Sequence, residues 1–169
     1  MSKGFVLELK GISKIYNESS SDKLVIFKNI NLNIKESELV GIIAPSGTGK
    51  TSLLNISGLL DLPSCGEVRI LNKNTKSLTV EMRNNLRRKH LGFVFQSSNL
   101  LNEFSAIENV ALSRIIKGYN FPDALDYAKK LLINVGLGNR LYSRPLQLSV
   151  VKNKELQFAE LLQMIQIFF

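Results

Sequence analysis

Gly41-Ile42-Ile43-Ala44-Pro45-Ser46-Gly47-Thr48-Gly49-Lys50-Thr51 is the stretch on which the reading of the fold turns. The apolar run from Leu39 to Ile43 predicts a buried strand, and Thr51-Ser52-Leu53-Leu54-Asn55-Ile56 predicts the start of a helix. Between them lies a loop of small residues ending in Gly-Lys-Thr, the spacing of a phosphate-binding loop. Small residues let successive backbone N–H groups turn inward around α- and β-phosphates. Lys50 is then placed for the β/γ-phosphates and the Thr51 hydroxyl for Mg²⁺. The positive end of the helix dipole points at the same anion. The candidate nucleotide contacts are therefore Ala44, Pro45, Ser46, Gly47, Thr48, Gly49, Lys50, Thr51 and Ser52, with Thr51 as a metal ligand; an ordinary glycine turn is the alternative. Ala44 stands where such loops usually carry glycine, and its methyl group fits provided that φ stays negative.

Working outward, the 169 residues suffice for one domain of moderate size, and 44% apolar residues suffice for a core. No apolar run approaches the roughly 18 residues of a transmembrane span, and Met1-Ser2-Lys3-Gly4 leads into a β-like pattern in place of a signal-peptide apolar region. The expectation is a cytoplasmic protein. One cysteine, Cys65, excludes an internal disulfide and reads as a small residue in a turn beside Gly66; one histidine, His90, gives no metal cluster and no histidine-based triad. A formal charge of +8 points to an anionic partner: nucleotide, nucleic acid or a membrane surface. Only Arg83 to His90 concentrates it, without interleaved aromatics, so a solvated helix face is the reading and no nucleic-acid partner is expected.

Upstream of the loop, Phe5–Lys10 alternates as a half-buried strand ending at Gly11, and Gly11–Tyr16 continues in the same manner. Leu24–Phe27 and Ile30–Lys35 are further β-type segments, so an antiparallel sheet is expected beside the nucleotide loop. Downstream, Gly58 ends the first helix, Pro63–Gly66 is a turn, Glu67–Leu71 a strand, Leu78–Lys89 a polar helix and Leu91–Phe95 a second buried strand ending at Gln96. Ser105 with Glu108 three residues later predicts a capping box. A further helix begins near Pro122 and carries Ala124, Leu125, Ala128, Leu131, Leu132 and Val135 at helical spacing before Gly136.

Tyr16, the phosphate loop, Gly92-Phe93-Val94-Phe95-Gln96, a helical block and Gln147-Leu148-Ser149, in that order, resemble the ATP-binding subunit of ABC transporters over about residues 5 to 149. Within it, Asn99 to Ala111 is similar to the lipoprotein-releasing branch. The resemblance implies an α/β P-loop NTPase fold of ABC type: an antiparallel β subdomain, an incomplete parallel core sheet and an α-helical subdomain. It divides the chain into a β-rich nucleotide core over 5–96, a helical subdomain over 97–149 and an aberrant, helix-compatible tail over 150–169. It further implies ATP and Mg²⁺ as cofactors, Tyr16 stacking on adenine, and Gln96 positioning Mg²⁺ and the attacking water. The implied partners are two transmembrane subunits and a second ATPase subunit, on the cytoplasmic face of the inner membrane.

The sequence departs from that pattern after Ser149. The family continues L-S-G-G-E, so that backbone and serine approach the γ-phosphate held by the facing subunit; here Val150 and Val151 replace the two glycines. The tail VVKNKELQFAELLQMIQIFF has a codon choice which, with one additional G in front, reads GGEEQRVAICRAFANDPNIF and restores the signature and the helix behind it. A frameshift and truncation are the expectation. The Mg²⁺-binding Asp, the adjacent Glu and the switch His of the family are then lacking, so binding without useful hydrolysis is expected. With them go the strands flanking Leu39–Ile43, leaving open edges. A nucleotide-binding remnant and, less favoured, a nucleic-acid-associated ABC-type ATPase are the other readings.

Overall fold

In a computed structural model of the chain, residues 4–17, 19, 21–95 and 99–148 are described. Contacts divide the chain into two compact units, Met1–Arg87 and Arg88–Phe169.

The first unit is built on an antiparallel sheet of β1 (Phe5–Tyr16), β2 (Leu24–Lys35), β3 (Cys65–Ile70) and β4 (Lys73–Asn74), in the order β2-β1-β3-β4. The separate β-type segments of the sequence merge into two long strands. Gly11 does not end a strand: it takes φ 60° within β1 opposite irregular pairing with β2, and its N–H donates to Asn31 Oδ1 at 2.9 Å. An inserted bulge keeps the ladder running while re-aiming side chains, so Leu9 and Ile12 are both buried despite their odd spacing. Gly66 in β3 crosses this bulge closely. A Cβ there would lie 2.6 Å from both the Lys10 and Gly11 carbonyl oxygens. Cys65 therefore opens a strand, exposed, where the sequence predicts a turn.

Helix α1 (Lys50–Ser57) lies against β1 and buries Ile56, and Gly58 ends it by donating to Leu54 O and Ile56 O. The end of β1 is tied to the turn before β3. The Lys14 ammonium, almost wholly buried, reaches Asp61 at 2.8 Å and Leu62 O at 3.0 Å, while Ser64 Oγ accepts from the Ile15 N–H. Helix α2 (Val80–His90) buries only Leu86, which agrees with the solvated basic face read from the sequence.

Leu39–Ile43 and Leu91–Phe95 were expected as buried strands, and neither forms one. Leu39 and Ile43 are each 99% exposed. A parallel strand is stabilised by neighbours on its edges and cover on both faces. Among the described residues every strand pairing is antiparallel, and β1 and β2 satisfy each other, so both segments are left without a ladder.

The second unit packs α3 (Ala106–Ile116) against α4 (Phe121–Asn134). Ala106, Val110 and Ala111 meet Ala124, Ala128, Leu132 and Leu137 in one core, with Leu125, Leu131 and Val135 along its edge. Small alanines facing each other allow the helices to approach closely. The Glu108 carboxylate accepts from the Ser105 N–H at 2.8 Å and hydroxyl at 2.5 Å, so the expected helix start is present. Asn120 caps α4 by accepting from the Asp123 N–H at 2.9 Å, and Gly136 follows its end at φ 80°.

Candidate nucleotide site

In the loop from Ala44 to Gly49 the glycines supply backbone conformations that other residues resist. Gly47 and Gly49 adopt φ 80° and 92°, where side-chain-bearing residues are strained, and Ala44 keeps out of that region as its methyl group demands. The two glycines do different work. A Cβ on Gly49 would fall 2.2 Å from Ile26 Cγ2 and 3.0 Å from Phe27 Cδ1, so this residue seats the loop on β2. A Cβ on Gly47 would meet nothing within 4 Å, so the loop is open at this residue.

Thr48 Oγ1 donates to Pro45 O at 2.8 Å and draws the loop into a ring. Lys50 turns back across it and donates to Ala44 O at 2.8 Å and Pro45 O at 2.6 Å. Its ammonium is thus held over the loop mouth by two of its three donors. The first helical turn leaves backbone N–H groups without partners. No side chain caps it and no acidic residue stands in it, so the positive end of α1 is left to an external anion. Donor-lined, acid-free and open at Gly47, the cradle fits a nucleotide's phosphates, and the Thr51 hydroxyl, on the exposed first turn, suits a hard cation such as Mg²⁺.

Tyr16 is 42% exposed at the end of β1, and the Lys14 ammonium sits 5.0 Å from its ring centroid. One face of the ring is thereby taken by the cation. Gln96 and Ser149 lie outside the described residues, as does the tail from residue 150. Of the segment leading to Gln96, Phe93 and Phe95 stack at 5.8 Å with 13° between their planes, as alternate side chains of an extended backbone do.

The ABC transporter family matches residues 27–166. The chain belongs to this family. Among curated relatives, the lipoprotein-releasing system ATP-binding protein LolD of Rickettsia bellii is 43% identical over 144 residues, covering 85% of this chain and 62% of that protein. LolD of Maricaulis maris is 41% identical over 145 residues, covering 86% and 63%. The chain thus spans less than two thirds of the length of these relatives. Among solved structures, a dimeric ATP-binding cassette, MJ0796, bound to ADP and phosphate, superposes with a TM-score of 0.85 at 36% identity, covering 94% of this chain and 69% of that one. The ABC cassette cbiO1 of Clostridium perfringens shares the fold at a TM-score of 0.77 and 24% identity, covering 95% of this chain and 62% of that one. The ABC match runs across the divergent residues after Ser149, whereas the LolD alignments span 144 or 145 residues.

Three features escaped the sequence reading. The Lys14–Asp61 pair joins residues 47 apart with nothing local to signal it. Asn109, 3% exposed, anchors the loop before α3: its Oδ1 accepts from the Leu101 N–H at 2.9 Å, and its Nδ2 donates to Leu101 O, Phe104 O and Ser105 O at 3.0 to 3.1 Å. The signal available was one amide within an otherwise apolar helical stripe. The third is the arginine–tyrosine stack of Arg114.

Proposed function

We propose that this chain binds Mg²⁺–ATP as a cassette of the lipoprotein-releasing lineage and does not sustain its hydrolysis. What carries the reading is the loop of residues 44–51, closed on β2 by Gly49 and open at Gly47, with an uncapped helix start behind it. Lys50 and the α1 N–H groups hold the phosphates, Thr51 and Gln96 the Mg²⁺, and the free face of Tyr16 the base. When bound, the ion supplies charge neutralisation at the β/γ-phosphates. Leaving its two loop carbonyls frees Lys50 to pair with phosphate oxygens instead. The LolD relatives support the lineage. In that setting the partners are two transmembrane subunits and a second ATPase subunit, on the cytoplasmic face of the inner membrane.

Deficient turnover rests on residues present in the chain. Val150 and Val151 put two β-branched side chains where close backbone approach to a facing γ-phosphate is needed. The single-base reading that restores Gly-Gly-Glu supports a frameshift, and sequencing the locus tests it: an unbroken frame through codon 150 refutes that part.

Calorimetric titration with Mg²⁺–ATP tests the binding. The parent should bind and Lys50→Ala should lose at least about tenfold in affinity, the scale of one charge-assisted contact to phosphate; undiminished binding would place the site elsewhere. Phosphate release measured on the same sample separates the two halves of the reading, because sustained Mg²⁺-dependent turnover would overturn the deficiency and leave the binding site standing.

A further inference from the structure

We propose that the turn between α3 and α4 is a contact site for an anionic lipid surface. It rests on residues that the nucleotide reading does not use. The Arg114 guanidinium stacks on two tyrosine rings, 3.9 Å from the Tyr119 centroid and 4.1 Å from that of Tyr127. Two aromatic rings therefore cover the cation, and its Nε is buried without a hydrogen-bond partner among the described residues. No carboxylate lies within ion-pair distance of it among those residues. The nearby acids on α4 are engaged elsewhere: Asp123 accepts from Asn120 Nδ2 at 2.7 Å, and Asp126 pairs with Lys130 at 2.7 Å.

Positive charge is concentrated further at the same turn. Burial and the neighbouring Arg114 charge push the Lys117 ammonium below its usual range, which marks two cations held together. Arg88 also reaches the turn, donating to Ile116 O at 3.4 Å. A cation–π stack offsets only part of the cost of an unpaired, half-desolvated arginine, and its guanidinium edge suits bidentate phosphate binding.

Packing α3 on α4 would explain the stacked tyrosines and nothing more. It does not explain why the same turn exposes Ile116 at 59%, Tyr119 at 50% and Phe121 at 54%. Gly118, at φ 98°, turns the chain sharply between them. Exposed aliphatic and aromatic side chains interleaved with clustered cations are the composition of an interfacial segment. The apolar groups enter the acyl boundary while the cations meet lipid phosphates, and tyrosine suits the depth between. An acidic protein segment would satisfy the charges and leave Ile116 and Phe121 without a role.

Vesicle flotation of the full chain tests this, since aggregates do not float. The parent should float with vesicles of phosphatidylcholine mixed with phosphatidylglycerol, and not with phosphatidylcholine alone. Lys117→Glu, in the α3–α4 turn, should weaken partitioning by at least about fivefold, following the value of each cation near an anionic membrane. Ile116→Ser with Phe121→Ser should weaken it comparably without changing its salt dependence. Lys76→Glu, an equal charge change on the first unit, should have little effect. Equal loss in Lys76→Glu would reduce the binding to net charge and overturn the site. So would undiminished flotation of the serine variant, with retention on polyglutamate then favouring an acidic protein partner.

Discussion

Replacing Asn109 isolates the contribution of one buried amide. The side chain makes four hydrogen bonds to the loop over residues 101–105. Ser105 O keeps a second donor, the Asn109 backbone N–H at 2.9 Å, and Leu101 O keeps the Phe104 N–H at 3.1 Å, so Asn109→Ala deprives two loop groups, the Leu101 N–H and Phe104 O, of their partner. At about 0.5–1.5 kcal/mol net for each, the expected loss is about 1–3 kcal/mol. The lower part of that range applies if water reaches the Phe104 carbonyl, on an exposed residue. Asn109→Asp should be worse than alanine by about 1 kcal/mol or more at neutral pH, the cost of an imperfectly satisfied buried charge. It keeps an acceptor for the Leu101 N–H but turns a carboxylate without a proton toward three carbonyl oxygens. Protonation restores a donor, so the aspartate variant should recover part of its deficit in acid. Urea unfolding followed by far-ultraviolet circular dichroism suits a chain without tryptophan. An alanine variant within about 0.5 kcal/mol of the parent, the range of a neutral surface substitution, would refute the anchoring role. So would an aspartate variant at least as stable as alanine.

The two loop glycines should separate cleanly. Gly49→Ala should cost about 2–4 kcal/mol, from left-handed strain plus the clash with Ile26, whereas Gly47→Ala should cost only about 1 kcal/mol. Ile26→Ala in the Gly49→Ala background should be milder than additivity predicts by about 1 kcal/mol, and strict additivity would count against the clash. Glu108 gives a pH test. The Ser105 hydroxyl and then its N–H hold this carboxyl below its usual range, with the Arg144 charge adding to the effect. A depressed carboxylate stabilises the folded state fully above the unfolded value near 4.5 and ceases to do so as pH falls through the folded one. Glu108→Gln should therefore melt below the parent at neutral pH, by no more than about 1 kcal/mol in stability once solvent screening of the carboxylate is allowed for, and converge with it in strong acid. A constant gap across pH would contradict the charge contribution.

Local chemistry made much of this fold legible. The Gly-Lys-Thr loop, the Ser105–Glu108 start of α3 and the apolar stripe of α4 are written in residues three or four apart, and each forms where the sequence places it. Strand formation at Leu39–Ile43 was not readable in that way. A run of apolar residues specifies what would fit a parallel sheet but not whether neighbouring strands are present to pair with it. Gly11 misled for a related reason: glycine at φ 60° ends a strand or kinks one, and only the partner Asn31 decides. Arg114 lies on α3 while Tyr119 lies in the α3–α4 turn and Tyr127 on α4, so no single-helix spacing predicts the stack.

Gly66 has a consequence for how the sheet avoids alignment errors. Sliding β3 by one position in either direction would bring Cys65 or Glu67 to the place where a Cβ meets two main-chain oxygens at 2.6 Å. Mispaired sheets are thus rejected by steric collision as well as by misplaced apolar side chains. The hydrogen atom on Gly66 works as an index pin, fixing which of several similar pairings the chain accepts.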